Sequence, residues 1–182
     1  MDQPRFHVVL YQPVIPNNTG NIGRTCLAFG AALHLVCPLG FSLEEKALRR
    51  AGLDYWPRLA PFVHEDWDAY LRAWPTARRW YFEARRGRPH FQAAYRPGDH
   101  LVFGPETSGL PEALLQGRQA DTVAIPLVQG ERSLNLATAV AVGLAEGVRQ
   151  LVEGRLLALS PGPSLPGAGV EGLGASGHGS AG

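Results

Sequence analysis

FHVVLYQPVIPNNTGNIGRTCLAFGAALHLVC, residues 6–37, is the stretch on which the fold turns. Phe6 to Tyr11 is a β-rich run, and Pro13 and Pro16 end it because proline donates no backbone N–H to a strand ladder. Asn17-Asn18-Thr19-Gly20 reads as a loop, after which Ile22, Cys26 and Phe29 recur at helical spacing. Gly30 supplies a helix stop, Leu33 to Cys37 is a second β-like run, and Pro38-Leu39-Gly40 closes it with turn residues. Strand, loop, helix and strand in that order make a βαβ unit, whose two strands run parallel.

Downstream, Glu44 to Ala51 and Asp66 to Ala73 read as short helices, while Trp80 to Glu83, Leu101 to Phe103 and Thr122 to Ile125 read as short buried strands. Helices alternating with such strands predict an α/β fold, with a mainly parallel sheet flanked by helices. From Leu134 to Val152 apolar residues occupy nearly every face, so a one-sided surface helix would leave many of them in water. This helix is expected to be buried, if need be between subunits. The 182 residues, 45% of them hydrophobic, suffice for one sizeable core and argue against two full domains. We expect one domain over residues 1–154. The Gly-, Pro- and Ser-rich stretch 155–182 cannot bury enough surface to offset its ordering entropy and is expected to be a disordered tail.

No run approaches the roughly 20 apolar residues of a membrane span, and Met1-Asp2-Gln3-Pro4 lacks the basic and apolar regions of a signal peptide. A soluble, cytoplasmic protein with no membrane partner is the expectation. Cys26 and Cys37 lie in apolar surroundings without CxxC spacing, which suggests buried free thiols. His7, His34, His64, His90 and His100 are scattered with no metal-ligand spacing, so no metal site is expected and structural or exposed roles are favoured over catalysis. Net charge is only +1, yet Lys46 is the one lysine. Arginine clusters at Arg49-Arg50, Arg78-Arg79 and Arg85-Arg86-Gly87-Arg88, and its planar fork matches phosphate oxygens bidentately. A solvated face is the bland alternative. Tyr55 or Trp56 would serve either as a stacking surface for bases or as core.

Three segments combine turn residues with polar side chains. Asn18-Thr19-Gly20-Asn21-Ile22-Gly23-Arg24 puts amides, glycines and an arginine at a helix start, which suits an anion or is an ordinary N-cap. Phe103-Gly104-Pro105-Glu106-Thr107-Ser108-Gly109-Leu110-Pro111 follows a strand, where open α/β sheets place ligands. Ile125 through Asn135 leaves a strand by a polar turn and enters the long helix, with Ser133 as a plausible cap.

NTGNIGR, FGPETSGLP and IPLVQGERSLNLATAVAV, in this order and at these separations, resemble motifs one, two and three of the SpoU branch of the SPOUT class of RNA methyltransferases. The resemblance covers residues 6 to about 152. The opening LYQPVIPNNTGNIGR and the stretch GFSLEEKALRRAGLDYW are similar to the subfamily that methylates the ribose 2′-hydroxyl of the tRNA wobble nucleotide, a cytidine or uridine. The resemblance implies a C-terminal trefoil knot, a homodimer, S-adenosylmethionine as cofactor and tRNA as substrate. It places Gly104, Ile125 and Ser133 against the cofactor, with Glu83 at a matching strand end as either a backbone contact or an exposed acid. It makes Arg24 the residue beside the reacting ribose. A guanidinium stays protonated, so Arg24 is expected to hold the adjacent phosphate, which would accept the proton, rather than to act as base. Asn18, Glu106, Ser133 and Asn135 are expected to position ribose or cofactor, and Arg85, Arg86 and Arg88 to bind RNA. Methylation of ribosomal RNA or another tRNA site is the alternative within the family. Outside it stand a non-catalytic RNA-binding module and a nicotinamide oxidoreductase, the latter without a GxGxxG turn to support it.

Overall fold

The computed structural model describes residues 3–42 and 55–157. The helix expected over 44–51, the Arg49-Arg50 pair and nearly all of the tail lie outside them.

Strand β1 (His7–Tyr11) leads to helix α1 (Pro16–Phe29) and strand β2 (Ala32–Val36), the expected βαβ unit. A short helix α2 (Trp56–Leu59), strand β3 (Phe62–His64) and helix α3 (Trp67–Ala73) follow. Strands β4 (Arg79–Phe82), β5 (Arg88–Pro89) and β6 (His100–Phe103) come next, then helix α4 (Glu112–Leu115), strand β7 (Thr122–Ala124) and the long helix α5 (Leu136–Glu153). The seven strands form one sheet in the order β3-β2-β1-β6-β4-β7-β5, every pair parallel. The sheet is the one anticipated, with β3 and β5 added at its edges. Their three and two residues are too short to show a period. Central strands are covered on both faces, which is why they read as continuous apolar runs.

Two local expectations need correction. Asn17 to Gly20 is not a loop: α1 already starts at Pro16, whose fixed φ suits the first helical position. Ser133 does not cap α5; Asn135 does, its Oδ1 accepting from the N–H of Ala137 at 2.9 Å and of Thr138 at 3.4 Å. Within the single chain α5 buries one face. Leu136, Val140, Gly143, Leu144, Gly147 and Leu151 form one buried stripe. Fully burying a residue such as Leu144 or Leu151 contributes about 1.5–3 kcal/mol.

The main core lies between the sheet and helices α1 and α5, and includes Phe6, Leu10, Ile22, Leu33, Phe103 and Leu144. Trp56 and Tyr55 belong to it, 9% and 6% exposed, which excludes them as a base-stacking surface. Behind the sheet, α3 brings Tyr70 and Trp74 over a face lined by histidines. Neighbouring strands carry His34, His7 and His100 there, and His64 joins from β3. All four are buried. His7 Nδ1 lies 2.8 Å from His34 Nε2, His34 Nδ1 lies 3.0 Å from His64 Nε2, and the Tyr70 hydroxyl is 2.8 Å from His100 Nδ1. Burial, reinforced by the neighbouring rings, pushes His34 down to about 2; burial, with His7 and Arg79 close by, pushes His100 down to about 3. These are therefore neutral imidazoles.

Candidate functional site

The three polar segments converge at the C-terminal ends of β4, β6 and β7. Gly104 follows β6 at a place where a Cβ would lie 2.3 Å from the carbonyl carbon of Gly109. Only glycine lets the loop fold this tightly on itself.

The segments are joined by a chain of hydrogen bonds with a fixed direction. The carboxylate of Glu106 accepts from the backbone N–H of Val14 at 3.0 Å, that of Ile15 at 3.2 Å, and Asn18 Nδ2 at 3.0 Å. Asn18 Oδ1 accepts from Asn135 Nδ2 at 3.0 Å, and Asn135 Oδ1 caps α5. An ionised carboxylate only accepts and a backbone N–H only donates, so the two ends dictate how both amides point. Glu106 also places negative charge at the start of α1, where the helix dipole favours it and where no side chain of the helix itself caps.

Glu83 makes a second tie. Its Oε1 accepts from the N–H of Leu110 at 2.9 Å, and its own N–H donates to Val123 at 2.9 Å. It is thus a half-buried carboxylate holding the loop after β6, not an exposed strand-end acid.

Between these loops lies a cleft of about 660 Å³. Of the residues singled out in the sequence, Asn18, Glu83, Arg85, Gly104, Glu106, Ile125, Ser133 and Asn135 line it. Arg24, Arg86 and Arg88 do not. Arg24 is exposed on α1 with its guanidinium 5.1 Å from the centre of the Tyr55 ring. Arg86 pairs with Glu112 at 2.6 Å. Arg88 donates to the Ala120 carbonyl and lies over Trp80. The Arg78-Arg79 cluster is committed inward: Arg78 to Asp99 and the Trp80 ring, Arg79 to the carbonyls of Trp74 and Ala77. Sequence reasoning passed over Arg132, which lines the cleft; its one signal was a cation directly before Ser133 in the polar turn.

Phe82, Phe103, Ile125, Leu134, Leu136 and Ala139 give the cleft apolar walls, and residues 104–109 and 132–135 of the two loops line it as well. Apolar walls with a few oriented polar groups suit a flat heterocycle with a polar rim, and the volume falls in the range of ligand pockets.

A parallel sheet with a ligand-sized cleft at its strand ends defines the open α/β class of ligand-binding proteins. Within that class the chain belongs to the SpoU rRNA Methylase family, whose model matches residues 5–145. The chain is 45% identical over 148 residues to the tRNA (cytidine(34)-2'-O)-methyltransferase of Escherichia coli K12, covering 80% of this chain and 94% of the relative. The protein of the same name from Methylovorus glucosotrophus is 48% identical over 146 residues, with 80% and 95% covered. A solved structure concerned with 2-OH methylation of C/U34 on tRNA superposes with a TM-score of 0.75 at 48% identity, covering 84% of this chain and 94% of that one. The SpoU methyltransferase AviRb of Streptomyces viridochromogenes, solved with AdoMet, superposes at 0.70 with 25% identity, covering 84% and 60%.

Proposed function

We propose that this protein methylates the ribose 2′-hydroxyl of nucleotide 34, a cytidine or uridine, in tRNA, with S-adenosylmethionine as methyl donor. The observation that carries the reading is the 45–48% identity to relatives of that activity across four fifths of the chain. The convergence of all three motif segments on one cleft supports it.

The cleft fits the cofactor's adenosine. Phe82, Phe103, Ile125 and Leu136 offer walls for the purine, and the backbone at Gly104, Ile125 and Ser133 offers polar partners. The bound cofactor supplies a sulfonium-activated methyl group. The chain's own work is to order the loops and align the hydroxyl. Glu106, Asn18 and Asn135 fix the three loops relative to one another, and Glu83 holds the middle one. Arg24 carries a permanent charge and holds the RNA phosphate beside the reacting ribose. Arg85 and Arg132 extend positive charge along the cleft. The trefoil knot belongs to this reading, supported by the match of residues 5–145 to the SpoU family model. So do a homodimer and a cytoplasmic location alongside tRNA. No helix among the described residues is long and apolar enough to cross a membrane.

The test is to map 2′-O-methylation in total tRNA and ribosomal RNA from a strain lacking the protein, and to restore it with purified enzyme and unmodified transcripts. Loss at position 34 of particular tRNAs is expected. Loss confined to ribosomal RNA, the substrate in the family's name, or to another tRNA site would replace the wobble assignment.

A further inference from the structure

We propose that His7, His34 and His100 form a buried three-histidine site for a transition-metal ion of the zinc class, on the sheet face away from the main core and α5. Nothing in the methyl-transfer reading uses these residues.

The geometry comes from strand register. His7 and His100 are direct cross-strand partners on β1 and β6, and His34 on β2 lies opposite Val9, one pleat repeat along the same face. One donor nitrogen from each ring lies within 4.8 Å of those of the other two. Among the described residues this is the sole group of three or more potential ligands so close together.

The surroundings orient the rings as ligands need. A metal-bound histidine commonly engages its other nitrogen in a hydrogen bond that sets tautomer and angle. Here His34 Nδ1 bonds to His64, and His100 Nδ1 bonds to Tyr70, leaving Nε2 of each for an ion. His34 Nε2 and His7 Nδ1 face each other at 2.8 Å with one proton between them. An ion would displace that proton to solvent and spread the pair slightly, since metal–nitrogen bonds of about 2.0–2.1 Å at a tetrahedral angle put ligand atoms roughly 3.3 Å apart. His7 and His100 stack with ring centres 4.2 Å apart in nearly parallel planes, so an ion held by both requires one of the rings to turn about its Cβ–Cγ bond out of the stack. The site is not sealed: His7 and His64 retain 7% and 8% of their surface. The facing side chains are Tyr70, Trp74 and Phe62, with Arg79 behind the Tyr70 hydroxyl at 3.3 Å. Uncharged ligands of this type suit zinc, copper or nickel rather than magnesium or calcium, which require oxygen.

Untagged full-length protein, equilibrated with Zn²⁺ and then dialysed against metal-free buffer, is expected to retain about one zinc per chain by elemental analysis and to melt at a higher temperature as zinc is raised. The doubly substituted His7→Gln, His100→Gln chain, checked for folding by circular dichroism and cofactor binding, is expected to retain none. Absence of stoichiometric retention by the native chain, or equal retention by the variant, would overturn the site. Should the variant fail to fold, Co²⁺ titration of the native chain decides: visible bands of nitrogen-coordinated cobalt support the site. No bands, or thiolate charge-transfer absorption from a cysteine ligand, refutes it.

Discussion

Two polar clusters sit at opposite ends of the same strand. After the last residue of β6, the loop network of Glu106, Asn18 and Asn135 joins three segments through a carboxylate, two amides and helix N-termini. At its first residue, His100 belongs to a cluster of neutral rings closed off by Tyr70 and Trp74. The first cluster opens on a cleft and ties loops; the second lies beneath Tyr70 and Trp74 and ties strands. Polar residues gathered in one place thus do different work according to what they bond and what they face. Breaking the first should change chemistry with modest cost in stability, whereas breaking the second should do the reverse.

The largest effect is expected beside the loop network rather than within it. Arg24→Ala should lower single-turnover methyl transfer by at least about 100-fold, while calorimetry finds cofactor affinity nearly unchanged. Arg24 does not line the cleft of its own chain, so a further experiment sharpens its role. Mixing the inactive Arg24→Ala protein with an inactive Gly104→Val protein should regain activity if each site draws on two chains. Unchanged transfer by Arg24→Ala would remove it from the mechanism.

Within the network, Glu106→Ala leaves two backbone N–H groups and the Asn18 amide without their charged acceptor. Such bonds contribute about 1.5–3 kcal/mol each when sheltered, less at this half-open site, so a total near 2 kcal/mol is expected. Cofactor binding and transfer should fall by about tenfold or more, because the three loops lose their common reference. A melting curve and an isotherm identical to those of the native chain would show that the bonds are dispensable.

The two clusters also differ in how far they were legible. Glu106, Asn18 and Asn135 stand in contiguous motif segments, so a sequence reading finds them even though their bonding to one another needs the folded loops. It misjudged local geometry there: the uncapped Pro16 start depends on a carboxylate 91 positions from Ile15, and Asn135, which caps α5 instead of Ser133, bonds to Asn18, 117 positions away. The histidines carry no local signal. His7 and His100 are 93 positions apart and meet only because β6 lies beside β1, an order that no pattern within either strand encodes. For the same reason Arg78 and Arg79 looked like an RNA-binding cluster, although their partners Asp99 and Trp74 are supplied by the fold.

Acid should separate the clusters next. In chelator-containing buffer, His34 and His100 are held neutral well below their ordinary value of 6.5, with His7, His64, Tyr70 and Arg79 the facing groups. Below pH 6.5 the unfolded chain takes up protons that the folded chain refuses. Their contribution is therefore fully present above about pH 6.5 and is lost progressively as pH falls toward 3. Denaturant midpoints measured from pH 7.5 to 4.5 should decline, and a His34→Leu, His100→Leu chain should decline less steeply. Equal slopes would mean that other groups govern acid stability.

The smallest expected effect lies toward the β5 edge of the sheet, in Arg85-Arg86-Gly87-Arg88. These arginines are near neighbours in sequence, but Arg85 lines the cleft whereas Arg88 is spent on Trp80 and the Ala120 carbonyl. If position along the cleft decides RNA contact, Arg85→Ala should weaken tRNA binding several-fold. It should also lower the slope of log affinity against log salt by about 0.7, the contribution of one phosphate contact to a single strand. Arg88→Ala should leave that slope unchanged and lower the melting temperature slightly instead. Equal changes in slope for both would mean that the internal contacts of Arg88 give way when RNA arrives, making local charge density a better guide to binding than the partners seen in the free protein.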